Sequence, residues 1–461
     1  MKDVLDKVID VASQKFAADY AEVRAQKLFK TMLTLKEGRV EATKQGIENG
    51  AALRVLVNGA WGFASVGTFK LAALSEAMSD ACKMAKVASS HLKTPVKLVE
   101  TKPIEDKVVL KPRKDPSKVP VEEKIGACLA MNEAVTGCDD RVKGCSIDYL
   151  DLTGTSFFMN NNGTFIEQDK LYVWARIFAT ATEAGVFSVS RDEVGSTAGF
   201  EVFDVQVPDK VGRVVGERAV EQLKAKLPKA GIFPVVLGPS VMGVFVHEAF
   251  GHLAEADLTL AGSVLQDKLG KKVGSDLVNI YDDGTIAGAF GSFKYDDEGV
   301  ASQKTLLMKE GVIVGLMHNR ETAKKFNARP TGNARAEDFR VEPLIRMRNT
   351  FIEPKDRSFE ELLEGVKFGY YFKSFRGGQA NLDGTFQVGI QEGWEIVNGE
   401  LGEPVRNASI SGNTLEGLQN VEAVGKDFEL WPGRCGKGQT AFECDGGAHV
   451  RVKEVLVGGT A

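Results

Sequence analysis

Two histidines and a glutamate lie within a run of mostly apolar residues, Val244 to Asp257. Glu248 follows His247 directly, and His252 comes five residues after His247; the chain has only five histidines in all. A buried imidazole or carboxylate costs free energy unless something binds it, and a metal ion would satisfy all three side chains. The pattern therefore predicts a metal site on a buried helix. The alternative is that both histidines are core residues hydrogen-bonded to carbonyl groups.

The spacing of the two histidines requires a distorted helix. In the familiar H-E-x-x-H motif the histidines are four residues apart and share one face. Five residues on a regular helix leave the side chains roughly 140° apart, which is too far for one small ion. A local i→i+5 turn would close this angle, and such turns collect at functional sites. Gly251, directly before His252, is the residue that best tolerates this distortion.

A third ligand is needed, because a catalytic zinc ion usually has three protein ligands and one water position. Cys435 lies in a glycine-rich loop between two cationic residues, which favour the thiolate form that binds metal. The alternative for Cys435 is an ordinary loop thiol. By local chemistry alone the candidates for the third position remain Glu255 and Asp257, on the same predicted helix, and Cys435, Cys444 and His449, near the C-terminus.

The composition describes a globular protein with more than one core. At 461 residues the chain is too long for a single ordinary core. Its 43% hydrophobic content, 26% charged content and net charge of -5 give no electrostatic attraction to nucleic acid or to an anionic membrane. No apolar run reaches the length of a membrane span, and the N-terminus does not resemble a signal peptide. We therefore expect a cytoplasmic protein with mostly reduced cysteines and with no nucleic-acid or membrane partner.

The first 228 residues predict an α+β domain of antiparallel sheet with helices. A helix precedes strands that turn at Glu37-Gly38 and Asn58-Gly59, and a second helix covers about Leu71 to Val87. The segment 91–120 is rich in proline and lysine and is linker-like. A similar order of helix, strands and helix follows it, which indicates a possible internal duplication.

Residues 229–461 predict a β-rich domain that carries the buried metal-binding helix. Ile232 to Leu237 has the pattern of a buried strand, and Gly238-Pro239-Ser240 would turn it into the helix. The remaining sequence is rich in strand patterns and in turn signals such as Asp383-Gly384 and Asn398-Gly399. We therefore expect an antiparallel β domain whose floor carries the helix.

These residues together resemble the TldD branch of the TldD/PmbA (TldE) metalloprotease family, formerly called modulators of DNA gyrase. The resemblance covers nearly the whole chain. The segments that carry it are His247 to His252 with Glu255 and Asp257, Cys435 to Gln439, Asn58 to Ser65, Asp296 to Gly299, Thr331 to Asn333 and Arg346 to Thr350.

The resemblance implies a zinc peptidase that hydrolyses unfolded or flexible peptides. His247, His252 and Cys435 would bind Zn²⁺, and Glu248 would act as general base on a zinc-bound water. The family also implies a dimer, either a homodimer or a heterodimer with a related subunit that lacks the motif. Because this chain carries the motif, it resembles the catalytic subunit. Cys444 and His449 depart from the family pattern after Gln439.

Two other functions are compatible with parts of this pattern. The chain could be a non-catalytic or chaperone-like partner subunit whose zinc is structural, although structural sites usually have four protein ligands. It could also be a cysteine peptidase that uses Cys435 with His449. The second alternative leaves His247, Glu248 and His252 without a role.

Overall fold

A computed structural model of the protein describes residues 1–459. The N-terminal half contains one seven-stranded sheet in the order β3-β2-β1-β5-β6-β4, with β7 also paired to β6. All of its pairings are antiparallel except that of β4 with β6. Its strands are β1 (Tyr20–Lys36), β2 (Arg39–Val57), β3 (Ala60–Val66), β4 (Glu105–Val108), β5 (Val142–Asn160), β6 (Phe165–Glu183) and β7 (Val186–Ser196).

Five helices accompany this sheet and form two cores on one of its faces. They are α1 (Lys2–Asp10), α2 (Leu71–Ser89), α3 (Val121–Thr136), α4 (Val202–Val205) and α5 (Pro208–Lys224). Helices α1 and α2 pack on β1 and β2, whereas α3 and α5 pack on β5 and β6. Each half of the sheet therefore has three strands between helices, and the order of helix, strands and helix is the one that the sequence predicts. The antiparallel pair β1–β5 joins the halves.

Tight turns set the register of the long hairpins. Between β2 and β3 only Asn58 and Gly59 intervene, with φ angles of 50° and 77°. Positive φ at both central residues is the property of a type I′ turn, whose twist matches that of the strands it joins. The Asn-Gly hairpin predicted from the sequence is therefore confirmed.

The C-terminal region, residues 231–459, is rich in strands. Pairing of β15 with β16 closes five strands into a ring, in the order β15-β8-β22-β18-β16, and a separate sheet has the order β11-β10-β9-β14-β21-β20. The strands are β8 (Gly231–Leu237), β9 (Ile280–Asp283), β10 (Lys304–Lys309), β11 (Val312–Ile313), β12 (Ala334–Arg335), β13 (Leu344–Ile345), β14 (Asn349–Ile352), β15 (Phe368–Ala380), β16 (Thr385–Val397), β17 (Glu400–Val405), β18 (Ala408–Asn413), β19 (Val421–Val424), β20 (Glu429–Gly436), β21 (Thr440–Gly447) and β22 (Val450–Gly459).

One helix of this region is completely buried. It is α6, and each of its eight residues is buried against β14, β15 and β21. The five helices of the region are α6 (Pro239–Val246), α7 (Ala256–Leu260), α8 (Arg320–Lys325), α9 (Phe359–Leu363) and α10 (Thr414–Gln419). This arrangement confirms the α+β fold class and the predicted buried helix in a β-rich C-terminal region.

Two local predictions need correction. Glu255 and Asp257 do not continue the helix of the histidines, because Glu255 has extended backbone angles (φ -69°, ψ 117°) and a new helix begins at Ala256. The linker-like segment 91–120 contributes strand β4, which adds to the edge of the N-terminal sheet beside β6. Within residues 1–459, no helix is long and apolar enough to cross a membrane.

Candidate metal centre

The backbone changes from α-helical to π-helical where the histidines begin. Helix α6 ends at Val246, and residues 247–251 form one π turn in which the N–H of His252 donates to the carbonyl of His247. This i→i+5 bond is the distortion that the spacing requires, and it leaves the two imidazole rings 4.9 Å apart between centroids. A Cβ atom on Gly251 would lie 2.1 Å from Met347 Sδ. Close packing as well as backbone freedom therefore requires glycine there.

Cys435 approaches the two histidines from strand β20. Its Sγ atom lies 3.1 Å from His252 Nε2, and one donor atom from each of Cys435, His247 and His252 lies within 4.8 Å of the others. Ligands of a tetrahedral zinc ion are about 3.5 Å apart, as follows from metal–ligand distances of about 2.0–2.3 Å. Two imidazoles and a thiol are donors that zinc accepts, so the three side chains fit this ion.

Each histidine also contacts a carboxylate through Nδ1. Glu255 Oε2 lies 3.1 Å from His252 Nδ1, and Glu443 Oε2 lies 3.3 Å from His247 Nδ1. The second contact is close but poorly aligned, so these two buried atoms lack a good hydrogen bond. Carboxylates in this position orient metal-binding imidazoles and increase their basicity. The unsatisfied atoms indicate that the His247 side of the site needs a positive charge to compensate its carboxylate.

Lys437, in the turn after β20, joins the strand of Cys435 to the carboxylates that follow His252. Cys435 therefore lies in a strand and not in the loop that the sequence predicts. The Lys437 Nζ atom lies 2.9 Å from Glu255 Oε2 and 2.8 Å from Asp257 Oδ2, and it donates to the Ile345 carbonyl at 3.0 Å. Glu255 is fully buried, and a buried carboxylate is stable only if its charge is paired. The ion pair therefore fixes Glu255, and through it the orientation of His252.

The charges of the cluster support a thiolate. Burial acts to raise the pKa of Cys435, but the neighbouring His247 and His252 outweigh it and hold the pKa at about 6. For His252 burial acts to lower the pKa, but Glu255 and Cys435 raise it to about 9. The thiolate is the form of cysteine that binds metals. The cluster therefore presents a negatively charged sulfur at neutral pH.

Glu248 lies beside the donors, in the wall of a cavity of about 340 Å³ that His247 and Cys435 also line. Its side chain packs against strand β15, where a Cβ atom on Gly378 would lie 3.1 Å from Glu248 Cγ. Among the residues that the structure describes, none forms a hydrogen bond or an ion pair with the Glu248 carboxylate. The carboxylate is therefore free to accept a proton from a molecule bound in the cavity.

Strand alternation separates the two C-terminal cysteines. In the β20–β21 hairpin Cys435 pairs with Ala441, so the side chains of Cys435 and Glu443 share one face and Cys444 points to the other. Cys444 packs among the aromatic residues of the N-terminal sheet, where its Sγ accepts a hydrogen bond from the Phe290 amide. Cys444 is therefore not near the predicted metal.

His449 lies in the wall of the same cavity but binds other partners. Its Nε2 is 3.0 Å from the Tyr371 hydroxyl, and its Nδ1 is 2.7 Å from Asp427 Oδ2. The structure thus groups Cys435 with His247 and His252 and leaves His449 in a separate hydrogen-bonded chain.

Sequence reasoning missed two site residues, Glu443 and Asp445, and it treated Lys437 only as a cation beside the thiol. A signal was present, because Glu443 and Asp445 stand two apart in a strand and therefore share a face. Burial and the neighbouring Glu443 raise the pKa of Asp445 well above its ordinary value. The buried side chains of Glu443 and Asp445 therefore both lie beside the His247 imidazole.

Comparison with known proteins identifies the family. Three family models match, described as PmbA/TldA metallopeptidase domain 1 (residues 21–85), central domain (114–227) and C-terminal domain (230–459). A metalloprotease of Methanothermobacter thermautotrophicus is 40% identical over 96% of both chains. A zinc metalloprotease TldD homolog of Saccharolobus solfataricus is 34% identical over 97% of this chain and 98% of that protein.

Solved structures share the fold. A Thermotoga maritima protein described as a candidate modulator of a DNA gyrase is 22% identical, with a TM-score of 0.81 over 99% of both chains. TldE from Thermococcus kodakarensis is 18% identical, with a TM-score of 0.78 over 99% of this chain and 100% of that chain. The family models and the relatives agree along nearly the whole sequence. The chain belongs to the PmbA/TldD family and is a metallopeptidase.

Proposed function

We propose that the protein is a zinc-dependent peptidase that hydrolyses unfolded or flexible peptides, with His247, His252 and Cys435 as the metal ligands and Glu248 as the general base. The observation that carries the proposal is the grouping of two imidazoles and one thiol within 4.8 Å of one another, at a cavity that Glu248 also lines. Similarity to a relative named as a zinc metalloprotease supports zinc as the ion.

The side chains divide the chemistry between them. A zinc ion held by His247, His252 and Cys435 would supply a Lewis acid that polarises the scissile carbonyl and acidifies a water molecule. Glu248 would accept the proton of the attacking water and then deliver it to the leaving amine. Glu255 and Glu443 would hold the imidazoles in the orientation that ligation requires.

The cavity favours a flexible substrate. Its volume is about 340 Å³, which admits a few extended residues but not a folded domain. Gly377 and Gly378 line it, so a peptide backbone can approach strand β15 closely there. We infer a substrate that enters as an extended chain.

A partner subunit is part of the proposal. The active form would be a homodimer or a heterodimer with a related chain that lacks the His247–His252 motif, and similarity to a solved TldE chain supports testing the second arrangement. A cytoplasmic location, expected from the sequence, also belongs to the proposal.

The decisive experiment compares the wild type with Glu248→Gln on one protein substrate in native and in unfolded form, with zinc measured in both enzymes. We expect the wild type to cleave only the unfolded form, and the variant to keep its zinc but lose at least about a hundredfold in rate. A chelator should abolish the wild-type activity and added zinc should restore it. An active, zinc-loaded Glu248→Gln enzyme would overturn the role of Glu248.

The subunit question needs one further arm. The wild type is assayed alone and after co-expression with a motif-less relative from the same genome. Absence of hydrolysis in both preparations, despite full zinc occupancy, would overturn the peptidase proposal in favour of a non-catalytic function. Loss of activity on thiol alkylation together with resistance to chelation would instead indicate a cysteine peptidase.

A further inference from the structure

The cavity beside Glu248 continues along strand β15. Gly378 packs against Glu248, and Phe375, three residues earlier on the same strand, also lines the cavity. Three residues of extended chain span roughly 10 Å. A peptide lying along β15 with its scissile bond near Glu248 would therefore pass Phe375 within about three residues of that bond.

Arg191 reaches this part of the cavity from the N-terminal sheet. Its backbone is held at both polar groups by one side chain, because its N–H donates to Gln391 Oε1 and its carbonyl accepts from Gln391 Nε2, each at 3.0 Å. The Arg191 guanidinium carbon lies 4.8 Å from the centroid of the Phe375 ring. The amide pairing on β7 thus fixes the position at which this cation enters the cavity.

Arg191 forms no direct ion pair, unlike Arg218 and Lys373 in the same cavity wall. Arg218 forms ion pairs with Asp192 at 3.4 Å and with Glu392 at 3.2 Å, and Lys373 pairs with Glu392 at 3.1 Å. The Arg191 guanidinium forms no hydrogen bond and no ion pair with any of residues 1–459. Burial lowers the pKa of Arg191, although the nearby Glu193, Asp445 and Asp192 act to raise it. An anion in direct contact with the guanidinium would stabilise its charge further.

A second unpaired cation in the cavity wall, Arg434, has a different setting. It is exposed, and its guanidinium lies over the Trp174 ring at 5.0 Å, on the side of the hairpin that faces the N-terminal sheet. Arg191 is the more buried of the two and lies over Phe375. We therefore consider Arg191 the better placed cation for a ligand in the cavity.

We propose that Arg191 is a specificity-determining residue that binds a carboxylate of the peptide substrate, within about three residues of the bond that is cleaved. The inference rests on the proposed peptidase function. A guanidinium presents its donors as a planar fork that matches a carboxylate in two parallel hydrogen bonds. The carboxylate could come from the C-terminus of the peptide or from an aspartate or glutamate side chain.

Three peptides distinguish these sources. One has a free C-terminal carboxylate, the second is the same sequence as a C-terminal amide, and the third is that amide with a glutamate near the cleaved bond. We expect the wild type to favour at least one of the two carboxylate-bearing peptides over the neutral amide by about tenfold to a hundredfold in kcat/KM. Which one it favours identifies the source.

Variants of Arg191 then test the residue. Arg191→Gln should remove the preference while leaving turnover of the neutral amide within about twofold of wild type, and Arg191→Lys should recover only part of the preference, since it keeps the charge but not the fork. Lys373→Gln is the matched control, because Lys373 lines the same cavity with its charge already paired, and it should keep the wild-type preference. Circular dichroism checks that each variant is folded.

A binding measurement separates this inference from the peptidase proposal. In the Glu248→Gln background, the affinities of the three fluorescently labelled peptides are measured by anisotropy, with and without Arg191→Gln. We expect a carboxylate-bearing peptide to bind about tenfold or more tightly than the amide, only when Arg191 is present. The absence of any carboxylate preference in the wild type, or an equal loss for all three peptides in Arg191→Gln, would overturn the assignment even if the enzyme hydrolyses peptides. A wild type that binds with this preference but does not hydrolyse would overturn only the peptidase proposal.

Discussion

Lys437 Nζ lies 2.9 Å from Glu255 Oε2, the same oxygen that lies 3.1 Å from His252 Nδ1. One carboxylate oxygen thus contacts both the β20–β21 hairpin, which carries the third proposed ligand, and the imidazole of the second. Asp257 also binds Lys437 but does not contact His252. Substitutions of Glu255 and Asp257 can therefore separate the effect of binding Lys437 from the effect of orienting His252.

Replacing Glu255 should weaken zinc binding more than replacing Asp257. We expect Glu255→Gln to lower zinc affinity roughly 10- to 100-fold, since it removes the charge that orients His252. Asp257→Asn should change the affinity less than about threefold. Competition with a chromogenic chelator measures both constants. Equal losses in the two variants would mean that the Lys437 contact, not the His252 contact, controls metal affinity.

The two cysteines of the β20–β21 hairpin should respond in opposite ways. Cys435→Ser replaces an ionisable thiol by an alcohol that stays protonated, and we expect zinc affinity to fall at least about a hundredfold. Cys444→Ala should retain zinc but lower the thermal midpoint, since Cys444 is buried in the aromatic cluster between the two halves. Zinc content and thermal melts of both variants test this pair. Full zinc in Cys435→Ser together with loss in Cys444→Ala would exchange their assignments.

A side chain at Gly251 should destabilise the fold, because the Met347 sulfur occupies the space that a Cβ atom would need. We expect Gly251→Ala to lower the free energy of unfolding by roughly 1–3 kcal/mol, and the double variant with Met347→Ala to lose less than the sum of the single losses. Gly126→Ala is the control. It lies inside α3 with no atom near its added Cβ, so it should be neutral or stabilising by up to about 1 kcal/mol. Additive losses at Gly251 and Met347 would show that the two do not compete for space.

His318 should make the fold sensitive to acid. Burial lowers the pKa of His318 to about 4, whereas a histidine in an unfolded chain has a pKa of about 6.5. At a pH between 4 and 6.5 this histidine is protonated in the unfolded chain but neutral in the folded protein. Its contribution to the free energy of unfolding is therefore complete above pH 6.5 and falls as the pH drops towards 4. This histidine accounts for roughly 3 kcal/mol of that fall.

The measurement is denaturant unfolding at several pH values for the wild type and for His318→Phe. When the pH is lowered from 7 to 4, the wild type should lose roughly 3 kcal/mol more unfolding free energy than the variant. His91→Gln, at an exposed position, is the control and should follow the wild type. A difference that does not change with pH would contradict the assignment of the buried neutral imidazole.

The sequence allows the distorted turn to be predicted because its cause is local. A five-residue spacing between His247 and His252, with Gly251 between them, leaves few backbone solutions that bring both rings together. The turn Asn58-Gly59 is another local case. The contact of Glu255 with Lys437 was not predictable in this way, because Lys437 comes 182 residues later in the chain.

The choice between Cys435 and Cys444 depends on strand register. A shift of one residue exchanges the two faces of a strand, and the sequence alone does not fix the register of the hairpin that carries both. Arg191 was missed for a related reason, since its entry into the cavity depends on its pairing with Gln391, 200 residues away. The division of the chain at residues 228 and 229 stays a prediction.

The position of Cys435 in the chain also matters during synthesis. Cys435, the proposed third ligand, is made 188 residues after the first, His247, as the difference between 435 and 247 gives. At the usual rate of about 5–20 residues per second, roughly 10–40 s separate the two on the ribosome. During that interval the emerging chain carries the histidines and Glu248 but lacks the thiol that completes the set. With the proposed ligand set, a nascent chain would have no complete metal site, and so no peptidase activity, until strand β20 has been made.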